Sequence, residues 1–175
     1  MATPNNQHYD VLVVGAGVAG GAIATAFGRQ GRTVLLIERC LAAPDRIVGE
    51  LLQPGGVEAL QQLGLSHCLE EIDAIPVKGY HIYWKDLQST FWFTSGYSKS
   101  AHTRDISTPN PEGRSFHHGA FISKLREAAA AENRVTVLET TARELIRDES
   151  SGNVIGVGCS HGDKSSTIVS HQMVS

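Results

Sequence analysis

The sequence has little from which to build a cross-linked, metal-bound or membrane-spanning protein. Its three cysteines, Cys40, Cys68 and Cys159, are odd in number, far apart and without a CxxC spacing, which suggests neither a disulfide framework nor a zinc site and makes a reducing compartment the default. No uninterrupted apolar stretch approaches the roughly 20 residues of a spanning helix. The first nine residues, Met1 to Tyr9, are polar with no hydrophobic h-region, so nothing in the chain reads as crossing a membrane. Excess charge is lacking too. A formal net charge of -3 over 175 residues, with the basic residues dispersed, leaves no electrostatic footprint for nucleic acid or an anionic membrane surface. Phosphate partners must be bound locally.

What is present is the composition of a folded domain, 41% hydrophobic and 19% charged, in a chain long enough to bury a core. Asp10 to Val14, DVLVV, is a short apolar run that ends abruptly in glycines, the pattern of a buried parallel strand. From Gly17 to Arg29 small and apolar residues recur at helical spacing, Gly31 closes the helix, and Thr33 to Ile37 makes a second apolar β-branched run. These elements predict one βαβ unit with a right-handed connection, the core of an α/β dinucleotide-binding (Rossmann-like) fold.

Gly15, Gly17 and Gly20 form GxGxxG between the first strand and the helix, the context in which that pattern carries meaning. The first glycine permits the tight turn, the second lets the backbone approach a pyrophosphate, and the third lets helix and strand pack closely. The pyrophosphate then meets unpaired N–H groups at a helix N-terminus, where the dipole also favours negative charge. Glu38 ends the second strand eighteen residues after Gly20, about where an acidic group meets the adenosine ribose hydroxyls. A carboxylate there repels a 2′-phosphate. The unit therefore favours FAD or NAD over NADP, without separating the first two.

Beyond it lie DRIVGELLQPGG (Asp45 to Gly56), continuing as VEALQQLGL to Leu65, then Gly79-Tyr80, GRSFHHGAFISKLR (Gly113 to Arg126) and the run Arg134 to Leu145. These strings resemble the squalene monooxygenases, flavoproteins, over most of the chain from Asp10 to about Leu145. The resemblance is most specific at DRIVGELLQPGG and FHHG. It implies FAD as cofactor, with contacts at Val18, Ala19, Glu38, Arg39, Arg126 and Ala142 besides the glycines. Arg46, shortly after the second strand, is a guanidinium placed to reach a phosphate or flavin oxygen, or else a surface partner of Asp45 or Glu50. Pro54, Gly55 and Gly56 are expected to break the chain before the amphipathic run Val57 to Leu63, leaving a loop to lie against a planar ring with Leu51 in contact. Arg126, on an expected helix Phe121 to Ala131, could instead pair with Glu127 or Glu132.

Residues Lys78 to Phe93 alternate in the strand manner. By the resemblance they begin an antiparallel substrate-domain sheet in which Tyr80 shapes a squalene pocket; a plain cross-strand aromatic is the other reading. Gly96 to Gly113 reads as a long polar loop. His117-His118 makes no metal site, because neighbouring side chains diverge and no third ligand is spaced to join them. The expected organisation is a βαβ core over 8–75, the start of the substrate sheet and a loop over 76–112, a return to the FAD domain over 113–169, with a hairpin around His161 to Lys164, and a divergent tail over 170–175. Relatives continue from the equivalent of Thr167-Ile168-Val169 into an Ala-Asp-Gly motif, whereas SHQMVS follows here. The expectation is therefore an incomplete chain, a fragment, splice product or premature stop, inactive by itself and with an unpaired sheet edge.

The resemblance implies that the full-length enzyme epoxidises squalene with dioxygen. FAD would be reduced from NADPH through a reductase partner, at the endoplasmic reticulum membrane. No catalytic acid, base or nucleophile is assigned, since the cofactor carries the oxygen chemistry. A soluble aromatic-ring hydroxylase sharing the FAD site, or a non-catalytic nucleotide-binding product, are the alternatives. Replacing Gly17 with valine puts a branched side chain where phosphate oxygens should lie. The purified full-length variant should lose bound FAD while its far-ultraviolet spectrum stays folded; a variant that still purifies yellow and stoichiometric would contradict the assignment.

Overall fold

The structure is a computed structural model that describes residues 8–47, 49–93, 111–161, 164–169 and 173–174. Along the chain run β1 (Val11–Val14), α1 (Val18–Arg29), β2 (Val34–Glu38), β3 (Leu51–Leu52), α2 (Pro54–Gln62), β4 (Ile75–Val77), β5 (Gly79–Trp84) and β6 (Leu87–Trp92). They are followed by β7 (Gly113–Ser115), α3 (His118–Ala130), β8 (Val135–Glu139), β9 (Thr141–Arg147), β10 (Val154–His161), β11 (Lys164–Val169) and β12 (Met173–Val174). The chain divides into two units, one of residues 1–45 and 119–175, the other of 46–118. Residues 46–75 thus cluster with the segment that follows them rather than with the βαβ core.

In the first unit β1, β2 and β8 are parallel neighbours, and the two-residue period of the strands sorts their side chains onto opposite faces. Leu12, Leu35 and Ile37 pack with Tyr9, Val157 and Cys159, so the antiparallel β9–β10–β11 meander lies over that face. Val11, Val13, Val34 and Leu36 face the other way, against Ala24 of α1 and Ala129 of α3. Double-sided burial explains the unbroken apolar run Val34 to Ile37 of β2 and the residues Val11 to Val13 of β1. Each fully buried leucine or isoleucine contributes about 1.5–3 kcal/mol relative to exposure. Asp10 clips the strand starts together: its Oδ2 accepts from the Thr33 N–H at 2.7 Å and the Thr33 hydroxyl at 2.8 Å.

Met173–Val174 lie parallel to β1, with Leu12 opposite Met173 and Val13 opposite Val174. A strand edge is a row of unpaired donors and acceptors that even a short extended segment can occupy, and here the order is β12-β1-β2-β8, while β11, which ends at Val169, is an outer strand of the three-stranded sheet β11-β10-β9.

In the second unit β7 is the central strand, antiparallel to β3 on one side and β4 on the other. The expected break at Pro54-Gly55-Gly56 is instead the first turn of α2, because proline at N1 lacks only an N–H that has no intrahelical acceptor anyway. The alternating run is a hairpin, β5 against β6, that turns at Lys85-Asp86, with Lys85 at φ 53°. Most of the expected loop Gly96 to Gly113 lies outside the described residues, while Gly113 itself begins β7.

The turn between β9 and β10 carries the largest carboxylate shift. The Ser150 hydroxyl, with the Ser151 N–H and hydroxyl, donates to Asp148 and holds its carboxyl down at about 2 against an ordinary 3.8. A depressed carboxyl stabilises the fold fully above its unfolded value and loses that contribution as pH falls through the folded value. Asp148→Ala should therefore lower the melting temperature slightly at neutral pH, and the gap between variant and parent should close as pH falls from about 4 to about 2. A gap that persists in strong acid would refute the linkage.

Candidate functional site

The glycine turn between β1 and α1 divides its labour. Gly15, at φ +98°, makes the turn itself and donates its N–H to the Ile37 carbonyl at 2.7 Å, fastening the turn to β2. Gly20 serves the fold alone: a Cβ there would sit 1.8 Å from the Gly15 carbonyl oxygen. At Gly17 a Cβ would meet nothing within 4 Å, so no contact within the protein demands a glycine there. Gly17 is also the N-cap of α1, has no side-chain cap bond, and is followed by a first turn without acidic residues. Helix geometry leaves the N–H groups of that turn, at Val18, Ala19 and Gly20, without intrahelical acceptors. The turn is an open, positively polarised cradle, with Gly17, Val18 and Ala19 exposed around it.

Glu38, at the end of β2, reaches back to this turn. Its Oε2 accepts from the Ala16 N–H at 2.8 Å and its Oε1 from the Cys40 N–H at 3.2 Å. An ionised carboxylate has about four acceptor sites, so two remain for a ligand such as a ribose diol. The carboxylate is 15% exposed, open enough for contact and buried enough for that contact to count.

Arg126 of α3 completes the arrangement. Its Nε donates to the Ala16 carbonyl at 2.8 Å, its Nη1 to the carbonyls of Leu41 at 2.9 Å and Ala42 at 3.1 Å, and its Nη2 stands 3.7 Å from Glu38 Oε2. The helix-face alternative does not form, since Glu132 is taken by Arg29 of α1 at 2.7 Å. Arg126 thus spends most of its five donors on backbone oxygens. Only hydrogens on Nη2, beside Glu38, remain for a ligand.

Of the other residues singled out in the sequence, Arg39 is exposed next to Glu38, and Ala142 packs half-buried against the Leu12–Leu35–Ile37 cluster. Arg46, Leu51 and Tyr80 belong to the second unit. There Arg46 is exposed, and Glu50 faces His117 at 3.9 Å. Leu51 lies on β3, opposite Ser115. The Tyr80 ring meets Phe93 edge-on at 5.4 Å and its hydroxyl is hydrogen-bonded by the Gln53 side chain. His117 and His118 diverge to different partners, Glu50 and the Gly49 carbonyl, and among the described residues no cluster of three or more metal-ligating side chains occurs. Sequence reasoning missed Ala16, Leu41 and Ala42, whose roles rest on backbone atoms that no residue pattern reports. Gln53 was missed as well; it lies inside the recognised string but carries no signal of its own.

A family model described as an FAD binding domain matches residues 8–153. The chain is 52% identical over 158 residues to a squalene epoxidase of Aspergillus fumigatus, covering 90% of this chain and 31% of that protein. It is 43% identical over 148 residues to squalene epoxidase 3 of Arabidopsis thaliana, covering 85% and 26%. The chain thus spans about a third or less of the length of these curated relatives. Among solved structures, a myxobacterial chondrochloren halogenase superposes with a TM-score of 0.77 at 20% identity, over 96% of this chain and 37% of its own. A probable FAD-dependent monooxygenase from Pseudomonas aeruginosa gives 0.71 at 20%, over 95% and 42%. At that identity the likeness is one of fold. The cradle at Gly17 and the spare acceptors of Glu38 fit a dinucleotide pyrophosphate and ribose, and the matched family model runs through both and through Arg126, so this chain belongs to the FAD binding domain family and its cofactor is FAD.

Proposed function

We propose that this chain is the FAD-holding part of a squalene epoxidase. The observation that carries the reading is 52% identity over 158 residues to a protein of that activity. In the reaction, one atom of dioxygen enters a terminal double bond of squalene and the other leaves as water. NADPH supplies the electrons through a reductase partner. Association with the endoplasmic reticulum membrane is proposed for the whole protein; among the described residues of this chain no helix is long and apolar enough to cross a membrane.

FAD, when bound, supplies the redox chemistry that activates dioxygen; the chain's own residues bind and orient it. The N–H groups of Val18, Ala19 and Gly20 take the pyrophosphate, with Gly15 and Gly17 keeping the approach open. Glu38 takes the ribose hydroxyls on its free lone pairs. Arg126 holds the turn and the segment after β2 at a fixed distance and offers its remaining Nη2 donor. Arg39 and Arg46 supply cationic contacts, Leu51 and Ala142 apolar ones. Tyr80, its hydroxyl anchored by Gln53, presents its ring to an apolar substrate. No general acid or base is assigned to this chain.

Glu38→Gln keeps the size of the side chain but removes its charge and one acceptor. FAD affinity, read by flavin fluorescence, should fall by about 1.5–3 kcal/mol, the scale of a hydrogen bond to a charged group. An unchanged affinity would remove Glu38 from the site. The squalene reading is tested by a chimera in which residues 8–153 replace the matching segment of the Aspergillus fumigatus enzyme. With NADPH and a competent reductase, it should form squalene epoxide above a control lacking the chimera. A chimera that holds FAD yet leaves squalene untouched would refute the substrate assignment while sparing the cofactor.

A further inference from the structure

The segment that carries Arg46 and Leu51 is held by three consecutive residues of the FHHG string. The Phe116 N–H donates to the Glu50 carbonyl at 3.0 Å, His117 Nδ1 stands 3.9 Å from Glu50 Oε1, and His118 Nδ1 stands 3.3 Å from the Gly49 carbonyl oxygen. The first contact uses a backbone donor that any residue except proline offers at position 116. The second is an ion pair whose histidine is 79% exposed, the kind of contact that solvent screens to little. The third depends on a particular side chain.

Gly49 shows why. It sits at φ +87°, in the left-handed region, and a Cβ there would lie 3.0 Å from His118 Nδ1 and 3.4 Å from its Cε1. The imidazole therefore occupies the space that only a glycine leaves, against a turn that only a glycine adopts without strain. A carbonyl oxygen facing Nδ1 requires a proton on that nitrogen. The ring donates from Nδ1, either as the corresponding neutral tautomer or as imidazolium. Directly after this point the chain enters β3, where Leu51 pairs with Ser115 and Leu52 with Arg114, so the turn at Gly49 sets the direction from which Leu51 begins.

We propose that His118 is a positioning residue for the cofactor-binding segment Gly49 to Leu51: its Nδ1–H fixes the left-handed turn at Gly49 and thereby the placement of Leu51. The proposal rests on the reading of Leu51 as an FAD contact. His118 itself touches the turn, not the flavin.

The experiment compares the full 175-residue chain with His118→Asn, whose amide nitrogen can stand where Nδ1 stands, and with His118→Gln, whose amide reaches past it toward the Nε2 position. Two quantities are read: amide hydrogen exchange at residues 49–52, which needs no cofactor, and FAD affinity. His118→Gln should accelerate exchange at residues 49–52 and weaken FAD about fivefold, the loss of one net hydrogen bond; His118→Asn should keep both near the parent. Gly49→Ala, which leaves the histidine in place but puts a methyl group against its ring, should behave as His118→Gln does. Unchanged exchange in His118→Gln overturns the proposal. So does equal loss in the Asn and Gln variants, which would assign the effect to ring packing, and so does accelerated exchange with undiminished FAD affinity. If the unaltered chain binds no FAD, the functional reading falls separately, and the exchange comparison alone decides whether His118 fixes the turn.

Discussion

The first unit is organised around a carboxylate and a guanidinium that are both nearly out of solvent, Glu38 at 15% and Arg126 at 11% side-chain exposure. Neither tolerates that burial without partners. Their partners are backbone groups drawn from two stretches of chain, Ala16 in the glycine turn and Cys40 to Ala42 after β2, to which α3 delivers the guanidinium. Removing either side chain leaves the backbone groups it serves without that partner, a loss of about 1–3 kcal/mol for each that is buried. The same groups therefore fold the turn and prepare it for a ligand.

That economy has a limit, visible at Gly17. Gly15 has to turn the chain and Gly20 has to let α1 approach the turn, and both needs are internal. Gly17 answers to nothing inside the protein, for the space a side chain would enter is empty. That open space, at the N-terminus of α1, is what the proposed pyrophosphate would use. The structure thus separates Gly15 and Gly20, which the fold itself needs, from Gly17, which it does not, a distinction that the GxGxxG spacing alone does not make.

How much was legible follows from where the physics is written. Strand stretches buried on both faces must be apolar, so the runs of β1 and β2 were plain, and Glu38 was found because its place at the end of β2 is a matter of counting. Its bond to the Ala16 N–H was not, since a backbone donor leaves no trace in residue identity. Arg126 was found by resemblance, but its turn away from a solvated helix face rests on the carbonyls of Ala16, Leu41 and Ala42, which leave no trace in residue identity. Strands as short as β7 and β12 have no measurable period. Pro54-Gly55-Gly56 misled for a different reason: glycine and proline usually interrupt structure, yet the first turn of a helix is the one place where a missing N–H is harmless.

The second unit also explains why two separated strings carry the family likeness most specifically. DRIVGELLQPGG supplies β3 and the Gly49 turn; FHHG follows directly on β7 and supplies the imidazole and the Phe116 N–H that meet that turn. Each string is the other's hydrogen-bonding partner. A side chain at 49 would crowd the ring at 118, and that ring faces the carbonyl of a residue in the left-handed region. A change at either position is therefore a change in both, which is the behaviour expected of residues in direct contact and not of independent surface positions. Two motifs that look unrelated in the sequence, one before the β5–β6 hairpin and one after it, meet in hydrogen bonds at the segment that leads into Leu51.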